Sequence, residues 1–294
     1  AAERTRRPRD RRRSPRRGVI AGMSRSRIAL TVGAALALAA AVSFGVAVGA
    51  RMLLTRQAAV ARRRIGKPLG ELAPRSDRVW RKSLTGEIVE LLVLGDSIAA
   101  GLGADRRKDT LGARLAKGLA TRLGRPVRLR TAAIVGSESS ALAEQIDGLP
   151  GDYVADVAVI VVGGNDVTHR IPASVSAEHL RAAITRLRAR GIPVVVGTCP
   201  DLGALRPVPQ PLRILGSQMS RQLAAAQAAV AERSGATAVS LRSAVGAVFF
   251  DQPDEMFGVD RFHPSALGYR RTAEALLPVV VATVEGRRAG TDTV

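Results

Sequence analysis

The stretch LLVLGDSIAAGLGA, residues 91–104, opens with four apolar residues. It reaches Gly95 and then sets Asp96 and Ser97 where the run leaves the core, followed by small residues with Gly101 and Gly103. An unbroken apolar run closed by glycine is the pattern of a strand buried on both faces, as parallel sheets require. Extended backwards the run is IVELLVLG (88–95). Four later runs share its character: VRLRTAAI (127–134), VAVIVVGG (157–164), PVVVGT (193–198) and TAVSL (237–241). Amphipathic stretches between and after them predict helices over 109–123, 139–147, 176–190, 212–233 and 264–285. Strands alternating with helices of this length make βαβ units, so the expected fold is an α/β three-layer sandwich on a five-stranded parallel sheet.

In such sheets ligands bind beyond the carboxyl ends of the strands. The loops that matter are then GDSIAAGLGA (95–104), VGSESS (135–140), GGNDVTH (163–169) and TCPDLGALRPVPQP (198–211). The first fails three better-known patterns. A phosphate-binding loop needs four residues between its glycines and then Gly-Lys-Ser/Thr, whereas Gly95 and Gly101 have five between them and Leu102 follows. A dinucleotide fingerprint needs a glycine where Arg106 stands. A nucleophile elbow is approached by Gly95 and Ser97, but Ala99 takes the place of its last glycine.

The candidate partners of Ser97 lie far downstream, in MFGVDRFHPSALGY (256–269). A serine hydroxyl is a weak nucleophile and needs a base within hydrogen-bond reach, itself oriented by a third group. Asp260 three residues before His263, in a turn closed by Pro264, can present its carboxylate to the imidazole of the same loop. Read as metal ligands, Asp260 and His263 lack a nearby third.

Taken together, GDS (95–97), Gly136 of IVGSES, GGND (163–166) and DRFHP (260–264) resemble the four signature blocks of SGNH hydrolases, also called GDSL-type esterases, in their order and at the right strand ends. The resemblance covers about residues 88–285. It implies a flavodoxin-like sheet, a catalytic Ser97 with base His263 and orienting acid Asp260, and an oxyanion hole from the amides of Ser97 and Gly136 and the side chain of Asn165. It implies neither metal nor organic cofactor. The expected reaction is hydrolysis of a small or lipid-like carboxylic ester through an acyl-enzyme on Ser97. Transfer of the acyl group to an envelope alcohol is an alternative, as is a non-enzymatic binding role for the arginine-rich tail.

Other polar residues read as structural. Asp96 is expected to bond loop amides, Asp166 to serve a turn, Cys199 to be a small buried thiol, and His179 to face solvent. His169 is likewise expected to face solvent, although it lies close enough to the third loop to line a pocket. The proline-stiffened loop Cys199–Gly216 is the candidate wall of an acyl pocket. With 8 aromatic residues in all, an extended stacking platform for a polysaccharide is not expected.

The chain carries a formal charge of +20, but residues 1–67 hold 17 Lys or Arg against 2 acids, leaving a mildly basic remainder at net +5. That distribution argues against a nucleic-acid-binding domain. The expected organisation is a basic disordered tail (1–27), a membrane anchor or signal sequence (28–50), a basic juxtamembrane linker (51–82), the hydrolase domain (83–288) and a short tail (289–294). The 23 uncharged residues 28–50 would span about 34 Å as a helix, enough to cross a bilayer and longer than the usual apolar core of a signal. Eleven arginines precede this run against 6 basic residues in 51–67, which places the amino end inside and the domain outside; counted from Met23 the balance reverses. Secretion after cleavage near residue 50 is the alternative.

Overall fold

The computed structural model describes residues 25–291. Most of the expected basic tail, residues 1–24, and the last three residues of the expected carboxyl-terminal tail lie outside them. The chain divides into two compact units at Leu53/Leu54. Helix α1 (Arg25–Ile65) supplies the described part of the first. There it exposes Leu36, Leu38, Phe44 and Val46, with no charge between Arg27 and Arg51. It is long and apolar enough to cross a membrane, the character of an anchor or of a signal sequence.

The second unit is built on one sheet. Its strands are β1 (Val79–Trp80), β2 (Val89–Gly95), β3 (Val127–Thr131), β4 (Val157–Val161), β5 (Val194–Gly197) and β6 (Thr237–Val239), in the order β1-β3-β2-β4-β5-β6. The five strands β2 to β6 are parallel, and their order is that of the flavodoxin-like fold. The sheet thus has six strands rather than the expected five. The sixth, β1, pairs antiparallel at the β3 edge, with Trp80 opposite Val127. Two residues carry no periodicity, so this strand left no trace in the sequence pattern.

Side chains alternate across the sheet because successive residues of a strand point to opposite faces. Leu91 and Val93 of β2 with Val157 and Val159 of β4 pack under helices α3 (Leu111–Leu123) and α9 (Ala266–Thr291), which contribute Leu115, Leu119, Tyr269 and Leu276. Leu92, Leu94, Ala158 and Ile160 face the other way, against α4 (Leu142–Asp147), α6 (Ala173–Ala189) and α7 (Leu212–Arg233). Both faces are dry, which is why β2 and β4 read as continuous apolar runs. Strand order reverses between β2 and β4, and there the crevice of a doubly wound sheet opens.

Candidate active site

At the end of β2 the backbone turns sharply at Gly95, whose φ is +131°. A Cβ there would lie 1.8 Å from the Val161 carbonyl oxygen, so only glycine lets β2 and β4 stay paired to their last residue. Asp96 follows in extended conformation and caps the short helix α2 (Ser97–Ala100) through the Ile98 amide at 3.0 Å. Its second oxygen accepts from the amides of Gly163 at 3.2 Å and Gly164 at 3.4 Å, tying the first loop to the third. Burial pushes the Asp96 carboxyl up to about 6 against the pull of these amide bonds. Its expected structural role matches this geometry.

Ser97, the first residue of α2, is 6% exposed. Its hydroxyl donates to His263 Nε2 at 2.9 Å, across 166 residues of sequence. His263 Nδ1 in turn donates to Asp260 Oδ2 at 2.6 Å. The other Asp260 oxygen accepts from the amides of Phe262 at 2.9 Å and His263 at 3.0 Å, so one carboxylate fixes both the ring and the backbone that bears it. Burial acts most strongly on Asp260 and raises its pKa. The bonds from the His263 ring and the two amides together outweigh it and hold the group below the ordinary carboxylate value. The turn is closed by the Gly258 amide donating to the His263 carbonyl at 2.8 Å and by a bridge between Phe257 and Pro264. Gly103 (φ +102°) lets the first loop reach it, since a Cβ would come within 2.5 Å of the Pro264 oxygen and 3.0 Å of His263 Cβ.

Asn165 lies in α5 (Gly164–His169) and donates through Nδ2 to the Ser137 carbonyl at 2.8 Å. An amide group has two protons, so one remains for a ligand. Gly136 is the neighbour of Ser137, and Asn165 thereby joins the second and third loops. Ser97 and Asn165 both line one apolar cavity of about 60 Å³, which Gly136 does not. An imidazole bonded to a hydroxyl on one side and a carboxylate on the other can take up the hydroxyl proton and return it.

The first half of the Cys199–Gly216 loop, from Pro200 to Leu205, lines this cavity, whereas residues 206–216 do not. The facing wall comes from α8 (Leu241–Asp251), through Val245, Phe249 and Phe250. Cys199 is buried, and burial drives its thiol well above the ordinary value, leaving no thiolate to act. His169 bonds through Nδ1 to Glu138 at 2.6 Å, outside the cavity.

Two polar side chains that hold the site together escaped sequence reasoning, and a third, Asp166, does more than serve the expected turn. Asp166 is fully buried and accepts the Ser139 amide on both oxygens, at 3.0 and 3.2 Å, pinning the second loop to the third. Gln145 of α4 binds both sides of the Gly95 peptide, and Gln227 of α7 bridges the Cys199 amide (2.7 Å) and the Val162 carbonyl (2.9 Å). A glutamine within a helix resembles a solvent-facing residue, so neither had a signal.

Residues 93–271, which carry every loop of this site, match the GDSL-like lipase/acylhydrolase family. The chain belongs to that family. As a GDSL protein it is an esterase- or lipase-type hydrolase. It is 40% identical over 267 residues to the GDSL-like esterase Rv1075c of Mycobacterium tuberculosis, covering 86% of this chain and 82% of that protein. Two solved structures resemble this chain. One is TesA, with TM-score 0.52 and 25% identity over 66% of this chain and 99% of that one. The other is a lipase/acylhydrolase from Enterococcus faecalis, with TM-score 0.54 and 20% identity over 66% and 96%. The second likeness concerns the fold alone.

Proposed function

We propose that this GDSL hydrolase cleaves carboxylic esters of short acyl chains through an acyl-enzyme on Ser97. The observation that carries this reading is the chain of two hydrogen bonds, Ser97 to His263 at 2.9 Å and His263 to Asp260 at 2.6 Å, at the edge of an apolar cavity. His263 takes the serine proton as Oγ attacks the ester carbonyl, then gives it to the departing alkoxide as the carbonyl–oxygen bond breaks. Water deprotonated by the same imidazole attacks the acyl-enzyme and releases the acid. Asp260 holds the ring and stabilises its imidazolium form.

The negative charge on the tetrahedral oxygen is met by the amides of Ser97 and Gly136 and by the second proton of Asn165, each such donor contributing about 3–4 kcal/mol in related chemistry. The acyl chain enters the cavity between Leu205 and Phe249. We further assign α1 as a membrane anchor, with the catalytic domain outside on the arginine balance of its flanks; protease accessibility of the domain in sealed vesicles tests that topology. The catalytic reading is tested by hydrolysis of p-nitrophenyl acetate beside Asn165→Ala, for which a loss of about 10²-fold or more in kcat is expected.

A further inference from the structure

Residues 54–65, the last three turns of α1, were expected to belong to a linker, yet within the second unit they are a packed element. Ala61 is buried there, and Gln57 grips the loop that precedes α7. The Gln57 amide donates to the Gln210 carbonyl, and its oxygen accepts the Leu212 amide at 3.0 Å. One helical turn beyond Ala61, Arg64 donates to the Pro207 carbonyl at 3.3 Å. The loop is thus held at three successive points along its outer half.

Its inner half forms the cavity wall and has its own fastenings. Asp201 accepts from the Gly203 amide at 2.8 Å and from Arg242 at 2.9 Å, and the Leu202 amide donates to Ser220 at 3.2 Å. Leu205, which is buried against the cavity, is held on its amino side by its own amide, which donates to the Leu202 carbonyl at 3.2 Å, and Arg206 beside it donates to the Phe250 carbonyl at 3.2 Å. On its carboxyl side the Leu205 carbonyl accepts the Val208 amide at 3.1 Å, and that turn is held from outside by Arg64 on Pro207 and Gln57 on Gln210.

From this arrangement we propose that residues 54–65 are a specificity brace: Gln57 and Arg64 fix the position of Leu205 and so the depth of the acyl cavity. The proposal rests on the reading of that cavity as the acyl site. The cavity is small, about 60 Å³, and Leu205 forms part of its wall. Gln57 and Arg64 act through the loop and touch no reacting atom, so they are positioning residues.

The test uses the full-length protein in detergent, as wild type and as the double variant Gln57→Ala/Arg64→Ala, with p-nitrophenyl acetate and p-nitrophenyl octanoate as substrates. A loosened wall is expected to raise the octanoate-to-acetate ratio of kcat/KM by about fivefold, while kcat for acetate stays within about twofold. An unchanged ratio, a fallen one, or a parallel loss on both esters would overturn the proposal, since a merely structural brace lowers both alike. Amide hydrogen exchange separates this failure from failure of the serine reading. Faster exchange at Leu205, Val208 and Leu212 in the double variant is expected whichever residue performs the chemistry, and unchanged exchange there contradicts the brace.

Discussion

Gln145 stands in for a strand beside Gly95: its side-chain oxygen accepts the Gly95 amide at 2.9 Å and its nitrogen donates to the Gly95 carbonyl at 2.8 Å. Both partners are buried, at the point where β2 ends and Asp96 begins. Without Gln145 the Gly95 amide would be stranded away from water, though the carbonyl would keep the Ile134 amide at 3.2 Å, and Ser97 is only two residues further on.

Gln145→Leu keeps the bulk and removes both bonds. It is expected to cost roughly 1–3 kcal/mol of stability, the toll of one unsatisfied buried amide, since the Gly95 carbonyl keeps the Ile134 amide at 3.2 Å; urea unfolding reads it. The same variant should lower kcat more than it raises KM, because the nucleophile is displaced while the cavity is left intact. A variant with wild-type stability would show that the Gly95 peptide finds other partners.

Gly103→Ala tests whether the first loop must approach the histidine turn as closely as it does. The added methyl meets the Pro264 oxygen and the His263 side chain, and the turn must move away from Ser97. Steady-state kinetics should show kcat reduced roughly 10–100-fold, the usual consequence of a misplacement of about 1 Å, with circular dichroism unchanged. Full activity in this variant would mean that the turn tolerates displacement.

Asp260 gives a prediction about pH. Its pKa is lowered in the folded protein, so its charge contributes stability at pH above the ordinary carboxylate value, and that contribution is lost as pH falls through the lower folded value. The stability gap between wild type and Asp260→Asn should therefore be full at neutral pH and shrink only in strongly acid solution. Asp260→Asn should also lower kcat about 10³-fold or more, because the imidazole loses the acceptor that fixes its tautomer, and unaltered turnover would dissociate Asp260 from the imidazole.

The legibility of this protein follows from where its residues sit. β2 and β4 announce themselves because both of their faces are buried, whereas β1 is two residues at an edge and has no pattern to read. Helix α7 was readable over its whole length, Leu212–Arg233, from its alternation of small and polar residues, but α8 escaped because its cavity-facing Val245 and Phe249 sit in a stretch too short and too apolar to show two sides. Ser97, Asp260 and His263 stand in motifs whose chemistry is local and recognisable. Asp166, Gln145 and Gln227 do their bonding to backbone atoms 27 to 65 residues distant, and no local pattern encodes such a contact.

Ser97→Ala tests the central claim most directly, by hydrolysis of p-nitrophenyl acetate and octanoate with the full-length protein, alongside its thermal unfolding. Turnover should fall about 10³-fold or more with the unfolding transition preserved, because the variant removes the nucleophile and leaves the small side chain that α2 accommodates. Equal turnover by the variant and the wild type would contradict the assignment of Ser97 and with it the acyl-enzyme route.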